Sequence, residues 1–182
     1  MIFYKEFFLQ DGRRCILRNG TSADAEEVMS NFIKTHEETD YLTSYPDEIS
    51  FTVEYEREYL KRKTESDREI EMVAEVEGRI VGTAGVDGYR VYRKLRHRCS
   101  FGISVEKDFW GFGIGRALTE SCIECARKAG YTQMELEVVS DNKRAVSLYK
   151  SVGFQEMGRN PLGFNSDING MQEIIMMRLL IS

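Results

Sequence analysis

Residues 109–118, FWGFGIGRAL, carry glycines at 111, 113 and 115 and then run straight into good helix formers. A glycine loop that opens a helix is suited to one of two jobs. Its backbone N–H groups, from Phe112 through Gly113, Ile114 and Gly115 to Arg116, can converge on an anion with the positive end of the helix dipole behind them. Glycine is wanted for that job because a Cβ would hold a diphosphate away from the backbone. Alternatively, Gly111, Gly113 and Gly115 make a tight strand-to-helix turn and no more. Two other phosphate motifs are excluded: G-x-G-x-x-G would need glycine at Arg116 or Leu118, and a P-loop would need Lys-Ser/Thr after its last glycine. Arg116 either adds a charged donor beside the anion or points to solvent.

A second constellation lies some thirty residues on. In SDNKRAVSLYKSVGF, Asn142, Ala145 and Tyr149 fall at i, i+3 and i+7, on one face of one helix. An amide and a phenol thus share a strip interrupted only by a small alanine. One account is an N-capping asparagine with a core-facing tyrosine. The other is a ligand groove in which Asn142 binds an amide-rich arm and Tyr149 meets a leaving group.

Other chemistries find little support. Cys122 and Cys125 form a C-x-x-C pair, but no second pair exists, and the histidines are His36 and His97 alone. The pair sits mid-helix, where both can face the core, so no metal is expected. A formal charge of −5 disfavours nucleic acid, which wants a clustered basic surface. The basic stretch Tyr92 to Arg98 reads as a solvated hairpin end. No apolar run approaches the ~20 residues that span a bilayer, and the opening MIFYKEFFLQDGRR lacks a cleavage pattern. The expectation is a cytoplasmic protein without a membrane partner.

The elements that must position these groups follow from periodicity. At 182 residues the expectation is one domain over 1–182. RRCILRNG reads as a strand, and Thr21 with Asp24 opens a helix on which Ala25, Val28, Met29, Phe32 and Ile33 keep helical spacing. A more polar helix covers Thr52 to Lys63. REIEMVAEVEGRIVGTAGVDGYRVY gives two strands joined at Glu77-Gly78. HRCSFGISV is a strand, followed by the glycine loop and a helix closed by Gly130. QMELEVV is a strand, the Asn142 helix is closed by Gly153, and QEIIMMRLL is a last strand. The pattern predicts an α/β fold with a mixed sheet.

The two constellations, in this order and at this distance, resemble a known family. Ile103 to Phe154 is similar to the acetyl-CoA-binding core of the GCN5-related N-acetyltransferase family. ISVEKDFWGFGIGRAL resembles its Q/R-x-x-G-x-G/A segment, and LEVVSDNKRAVSLYKSVGF resembles its next strand and helix. ILRNGTSADAEEV is similar to its first strand and helix. Trp110 stands where the family has Gln or Arg. The resemblance implies a mixed, mostly antiparallel sheet of six to seven strands with helices on both faces, and a homodimer by family habit.

It also implies roles. The backbone of Ile103, Ser104 and Val105 would pair with the pantetheine amides of acetyl-CoA, and the amides of Phe112 to Arg116 would hold its diphosphate. Asn142 and Ala145 would line the pantetheine arm. Tyr149 would act as general acid for the departing thiolate, and the Val105 N–H would polarise the thioester carbonyl. Glu135 and Glu137 face away from Met134 and Leu136, and Glu137 is the candidate base. Glu37, Glu38, Asp40 and Tyr41 would shape the acceptor pocket, with Glu38 and Tyr41 touching a small-molecule or protein amine. A chain that binds acetyl-CoA without turning it over is the alternative reading.

Overall fold

The computed structural model describes residues 1–89 and 92–181. In chain order the elements are β1 (Tyr4–Phe8), β2 (Arg14–Asn19), α1 (Ala25–Glu38), α2 (Val53–Glu65), β3 (Ile70–Val76) and β4 (Arg79–Gly88). There follow β5 (Arg98–Val105), α3 (Ile114–Lys128), β6 (Gln133–Val139), α4 (Lys143–Ser151), β7 (Gln155–Ser166) and β8 (Gly170–Leu180). The strands form one eight-stranded sheet ordered β1-β2-β3-β4-β5-β6-β8-β7, and only β5 and β6 run parallel.

Alternation along the strands sorts the core onto the two faces. Ile70, Met72, Ala74 and Val76 of β3 join Leu118 and Cys122 of α3 in the larger cluster, whereas Val73 joins Ala25, Val28 and Leu60 under α1 and α2. Local chemistry sets the helix ends. Asp24 Oδ2 accepts from Thr21 N at 2.7 Å before α1, and Thr52 Oγ1 accepts from Tyr55 N at 3.2 Å at the start of α2. Gly130 and Gly153, at φ +76° and +102°, close α3 and α4.

The sheet has eight strands where six to seven were expected. Two segments not read as strands make up the difference: the opening stretch supplies β1, and QEMGRNPLGFNS, which contains Pro161 and two glycines, forms β7. The place of β7 at the sheet edge explains this: an edge strand tolerates a proline, and register shifts against β8 absorb the irregularity. The basic stretch lies mostly exposed from Tyr92 to His97, and Arg90 and Val91 of the same hairpin fall outside the described residues. No helix among the described residues is long and apolar enough to cross a membrane. No group of three His, Cys, Asp or Glu side chains among them is placed to hold a metal ion.

One irregularity positions the site. Ala74 opposes Gly82 and Glu75 opposes Ile80, so Val81 is an extra residue on β4. Its carbonyl accepts from Glu106 N at 2.9 Å just beyond the end of β5. The Glu106 carboxylate is then gripped by Arg79 (2.6 and 2.9 Å), Lys34 (2.7 Å) and Asn31 (3.1 Å). The far end of β5 is thereby bound to β4 and α1, away from β6. Indeed β5 pairs with β6 only at Arg98, Cys99 and Ser100, while β6 pairs with β8 along its whole length. From Phe101 onward the two parallel strands part.

Candidate functional site

The parting leaves one edge of β5 without a strand neighbour. His97 O accepts from Thr132 N toward β6, while Arg98 O accepts from Tyr89 N, at the end of β4. With Glu106 N also directed to Val81 on β4, alternation assigns even-numbered residues to β4 and odd-numbered ones to the gap. The Phe101 C=O, both backbone groups of Ile103 and the Val105 N–H therefore face the gap, the Val105 C=O accepts from Trp110 Nε1, and the groups of Ser104 are spent on β4.

A cavity of about 400 Å³ fills this gap. Its walls include Phe101 to Val105 of β5, Glu137 to Val139 of β6, and Asn142, Arg144, Ala145, Leu148 and Tyr149 on or just before α4. Glu137 and Val138 point to opposite faces of β6, so the cavity passes through the splayed sheet. Gly115 and Trp110 line it beside the glycine loop; Thr35, Thr39, Tyr41, Leu42, Thr43 and Phe164 line its other end.

The glycine loop is built as a left-handed turn. Gly111 and Gly113 have φ +91° and +92°, and a Cβ at either would meet no protein atom within 4 Å. The first helical bond of α3 runs from Ala117 N to Gly113 O at 3.0 Å, so the N–H groups of Ile114, Gly115 and Arg116 have no intrahelical partner. Ile114 is fully buried and Phe112 packs on the core, which leaves the backbone as the exposed chemistry. Arg116 turns away to Ser151 Oγ (2.6 Å) and Glu120 (3.3 Å).

On α4 the Asn142 side chain caps the helix, its Oδ1 accepting from Ala145 N at 3.1 Å, so its Nδ2 remains as a donor. Tyr149 is 7% exposed and stacks edge-on to Phe101. Burial pushes its phenol well above the ordinary tyrosine value. On β6 the two glutamates differ. Glu135 is held by Arg98 at 2.5 and 2.6 Å and lies below the usual carboxylate range because of that bond, whereas Glu137 lines the cavity.

The acceptor-side loop is pinned from two directions. Glu38 does not line the cavity; it accepts from Lys107 N at 2.6 Å. Asp40 accepts from Ser166 Oγ and Asn169 Nδ2, both at 2.6 Å, tying the loop after α1 to the β7–β8 turn. Tyr41 does reach the cavity wall. Phe112, Gly113, Ile114 and Arg116 lie outside the lining, while Ile103, Ser104, Val105, Gly115, Glu137, Asn142, Ala145 and Tyr149 are within it. Sequence reasoning missed Arg144 as a wall residue and read Trp110 only as a departure from a motif. In the structure Trp110 Nε1 donates to Val105 O at 2.7 Å, and the Arg144 guanidinium lies 5.2 Å from its ring centroid. Arg144's exposed place two residues after a groove-facing asparagine was the available signal.

The profile of the Acetyltransferase (GNAT) family matches residues 32–154. The chain belongs to the GNAT family. An uncharacterized N-acetyltransferase of Methanocaldococcus jannaschii is 31% identical over 142 residues, covering 77% of this chain and 60% of that protein. The ribosomal protein bS18-alanine N-acetyltransferase of Escherichia coli is 38% identical over 84 residues, covering 45% of this chain and 55% of that protein. The chain thus spans 55–60% of the length of these two relatives. Among solved structures, a GNAT acetyltransferase from Streptococcus pneumoniae superposes with a TM-score of 0.88 at 27% identity, covering 92% of this chain and 99% of that one. The Salmonella typhimurium protein yncA, solved with acetyl-CoA as its cofactor, shares the fold at TM-score 0.80 and 19% identity over 91% of this GNAT chain and 93% of its own.

Proposed function

We propose that this GNAT chain moves an acetyl group from acetyl-CoA to a primary amine, small-molecule or protein-borne, by direct attack in a ternary complex. The observation that carries this reading is the unpaired edge of β5 opening into the same cavity as Gly115 and Tyr149. An amide-bearing pantetheine arm suits the Phe101 C=O, the two backbone groups of Ile103 and the Val105 N–H, and the unpartnered N–H groups of α3 suit a diphosphate. Asn142 Nδ2 and the small Ala145 suit the arm between them.

The chemistry assigned to the side chains is proton management. An alkyl ammonium, with a pKa near ~10.4, cannot attack until it is deprotonated. Glu137 takes that proton, directly or through water, and the Val105 N–H meets the charge that develops on the carbonyl oxygen. Tyr149 gives its proton to the departing sulfur. Burial keeps the phenol protonated at neutral pH, as an acid awaiting a thiolate must be. The acceptor end, with Tyr41, Leu42, Thr43 and Phe164 beside one carboxylate, suits an amine that carries no acidic group next to it. The Escherichia coli relative is named as an N-acetyltransferase of an alanine of ribosomal protein bS18, a protein-borne acceptor.

A melting-shift comparison tests the reading. Acetyl-CoA at a hundred times its dissociation constant stabilises by ~2.7 kcal/mol, whereas ATP and NAD leave the protein unmoved. Stabilisation by ATP or NAD without acetyl-CoA would sink it.

A further inference from the structure

We propose that Arg144, held in place by Trp110, is the cation that pairs with a phosphate group of the donor nucleotide. The inference rests on the acetyl-CoA reading of the cavity and adds to it a residue outside both sequence motifs' expected contacts.

The argument begins with charge. A CoA-type donor brings a diphosphate and a 3′-phosphate, and a helix N-terminus offers only about half a positive charge against them. Among the described residues, Arg144 is the single cationic side chain on the cavity wall. Arg116, nearer in sequence to the glycines, is committed to Glu120 and Ser151 on the outer surface. Arg144 has no ion pair among the described residues, although seven other arginines among them are paired with carboxylates within 3.0 Å. An exposed guanidinium without a carboxylate partner, standing at the rim of a largely apolar cleft, is placed for an anion that arrives with the ligand.

Trp110 supplies the position. Its indole N–H is spent on Val105 O, which fixes the ring at the end of the free β5 edge. The ring face then lies under the guanidinium. Stacking of this kind uses the π-face of Arg144 and leaves its N–H donors free, so the fork remains available for bidentate contact with phosphate oxygens. Trp110 is therefore a positioning residue in the place where the family has Gln or Arg.

The test uses the intact protein, in which Trp110 is the sole tryptophan and its fluorescence reports this site alone. CoA and 3′-dephospho-CoA are titrated against wild type, Arg144→Ala and Arg144→Lys, with calorimetry for Trp110→Phe. Arg144→Ala is expected to weaken CoA binding about tenfold or more at an unchanged melting temperature, and to flatten the salt dependence of the dissociation constant. Arg144→Lys recovers part of the loss, and Trp110→Phe weakens binding about threefold. A penalty that persists with dephospho-CoA assigns the contact to the diphosphate; one that vanishes assigns it to the 3′-phosphate. Wild-type binding with an Arg144→Ala constant within twofold of it would overturn the inference alone. Absence of CoA binding by wild type would overturn the acetyl-CoA reading and this inference with it.

Discussion

Arg98 grips Glu135 through two bonds of 2.5 and 2.6 Å, and Glu137, two residues along the same face of β6, lines the cavity. The pair separates two otherwise equivalent glutamates. Replacing Glu137 by Gln is expected to lower the turnover number by ~10²–10⁴, the range of a general base. Replacing Glu135 by Gln removes a half-exposed ion pair, costing up to ~1 kcal/mol of stability and less than about threefold in rate. Steady-state rates and urea midpoints of the two variants check this; equal rate losses would contradict it.

Tyr149 is assigned the proton for the departing thiolate. Tyr149→Phe keeps the packing against Phe101 and loses the hydroxyl, so turnover falls by ~10²-fold or more while the melting temperature barely moves. The phenol's raised pKa has a direction that rates can read. A tyrosine held above its ordinary ~10 stays protonated through that pH, so the wild-type turnover profile shows no alkaline fall below it from this group. A fall centred between pH ~7 and 9 that disappears in Tyr149→Phe would count against the assignment.

The glycines separate turn from cradle. Gly113 needs its left-handed φ of +92°, so Gly113→Ala costs ~1–2 kcal/mol of stability. Gly115 has no such demand, and an added Cβ would meet only Leu148 Cδ2 at 3.6 Å, an ordinary contact. Gly115→Ala should therefore melt like wild type yet bind acetyl-CoA at least about tenfold more weakly, because the methyl occupies the cavity side of α3. Unchanged binding would leave the loop as a turn.

Glu106 holds the splay open, and its pH dependence follows from its partners. Burial raises its carboxyl pKa, but the bonds from Arg79, Lys34 and Asn31 outweigh burial and leave it below the ordinary value. A depressed folded pKa contributes stability that is present above the unfolded value of ~4.3 and lost as pH falls through the folded one. The wild-type melting temperature should drop more steeply below pH ~4.3 than that of Glu106→Gln. At neutral pH, Glu106→Ala lets the half-exposed Arg79 and Lys34 turn to water but leaves the buried Asn31 amide unpaired, and costs ~1–3 kcal/mol. Parallel acid limbs for wild type and Glu106→Gln would contradict this account.

Much of the scaffold was legible because its signals are local. Alternation marks β3 and β6, Thr52 and Asn142 announce α2 and α4, and Gly130 and Gly153 close their helices. β7 was not legible, because an edge strand carrying Pro161 depends on its neighbour β8 rather than on its own propensity. The site divides in the same way. Asn142, Ala145 and Tyr149 share a helix face, so spacing alone brings them together. Whether Ser104 or Ile103 offers its backbone to the gap depends on a parity set by the Val81 bulge and by Glu106, which pattern reading does not resolve. The bond from Arg116 to Ser151, the capture of Glu38 by Lys107 N and the stacking of Arg144 on Trp110 are contacts between segments distant in sequence. No local spacing encodes them.

The central claim is acetyl transfer to an amine, and transfer of a labelled acetyl group measures it most directly. Acetyl-CoA carrying a labelled acetyl group is incubated with a panel of peptides with free N-termini, free amino acids and polyamines, and CoA thiol and acetylated product are counted together. The account predicts one labelled amide per thiol released, favouring amines without a neighbouring carboxylate, and a loss of ~10²-fold or more in Glu137→Gln and Tyr149→Phe. Tight acetyl-CoA binding with no thiol released against any amine in the panel would contradict it.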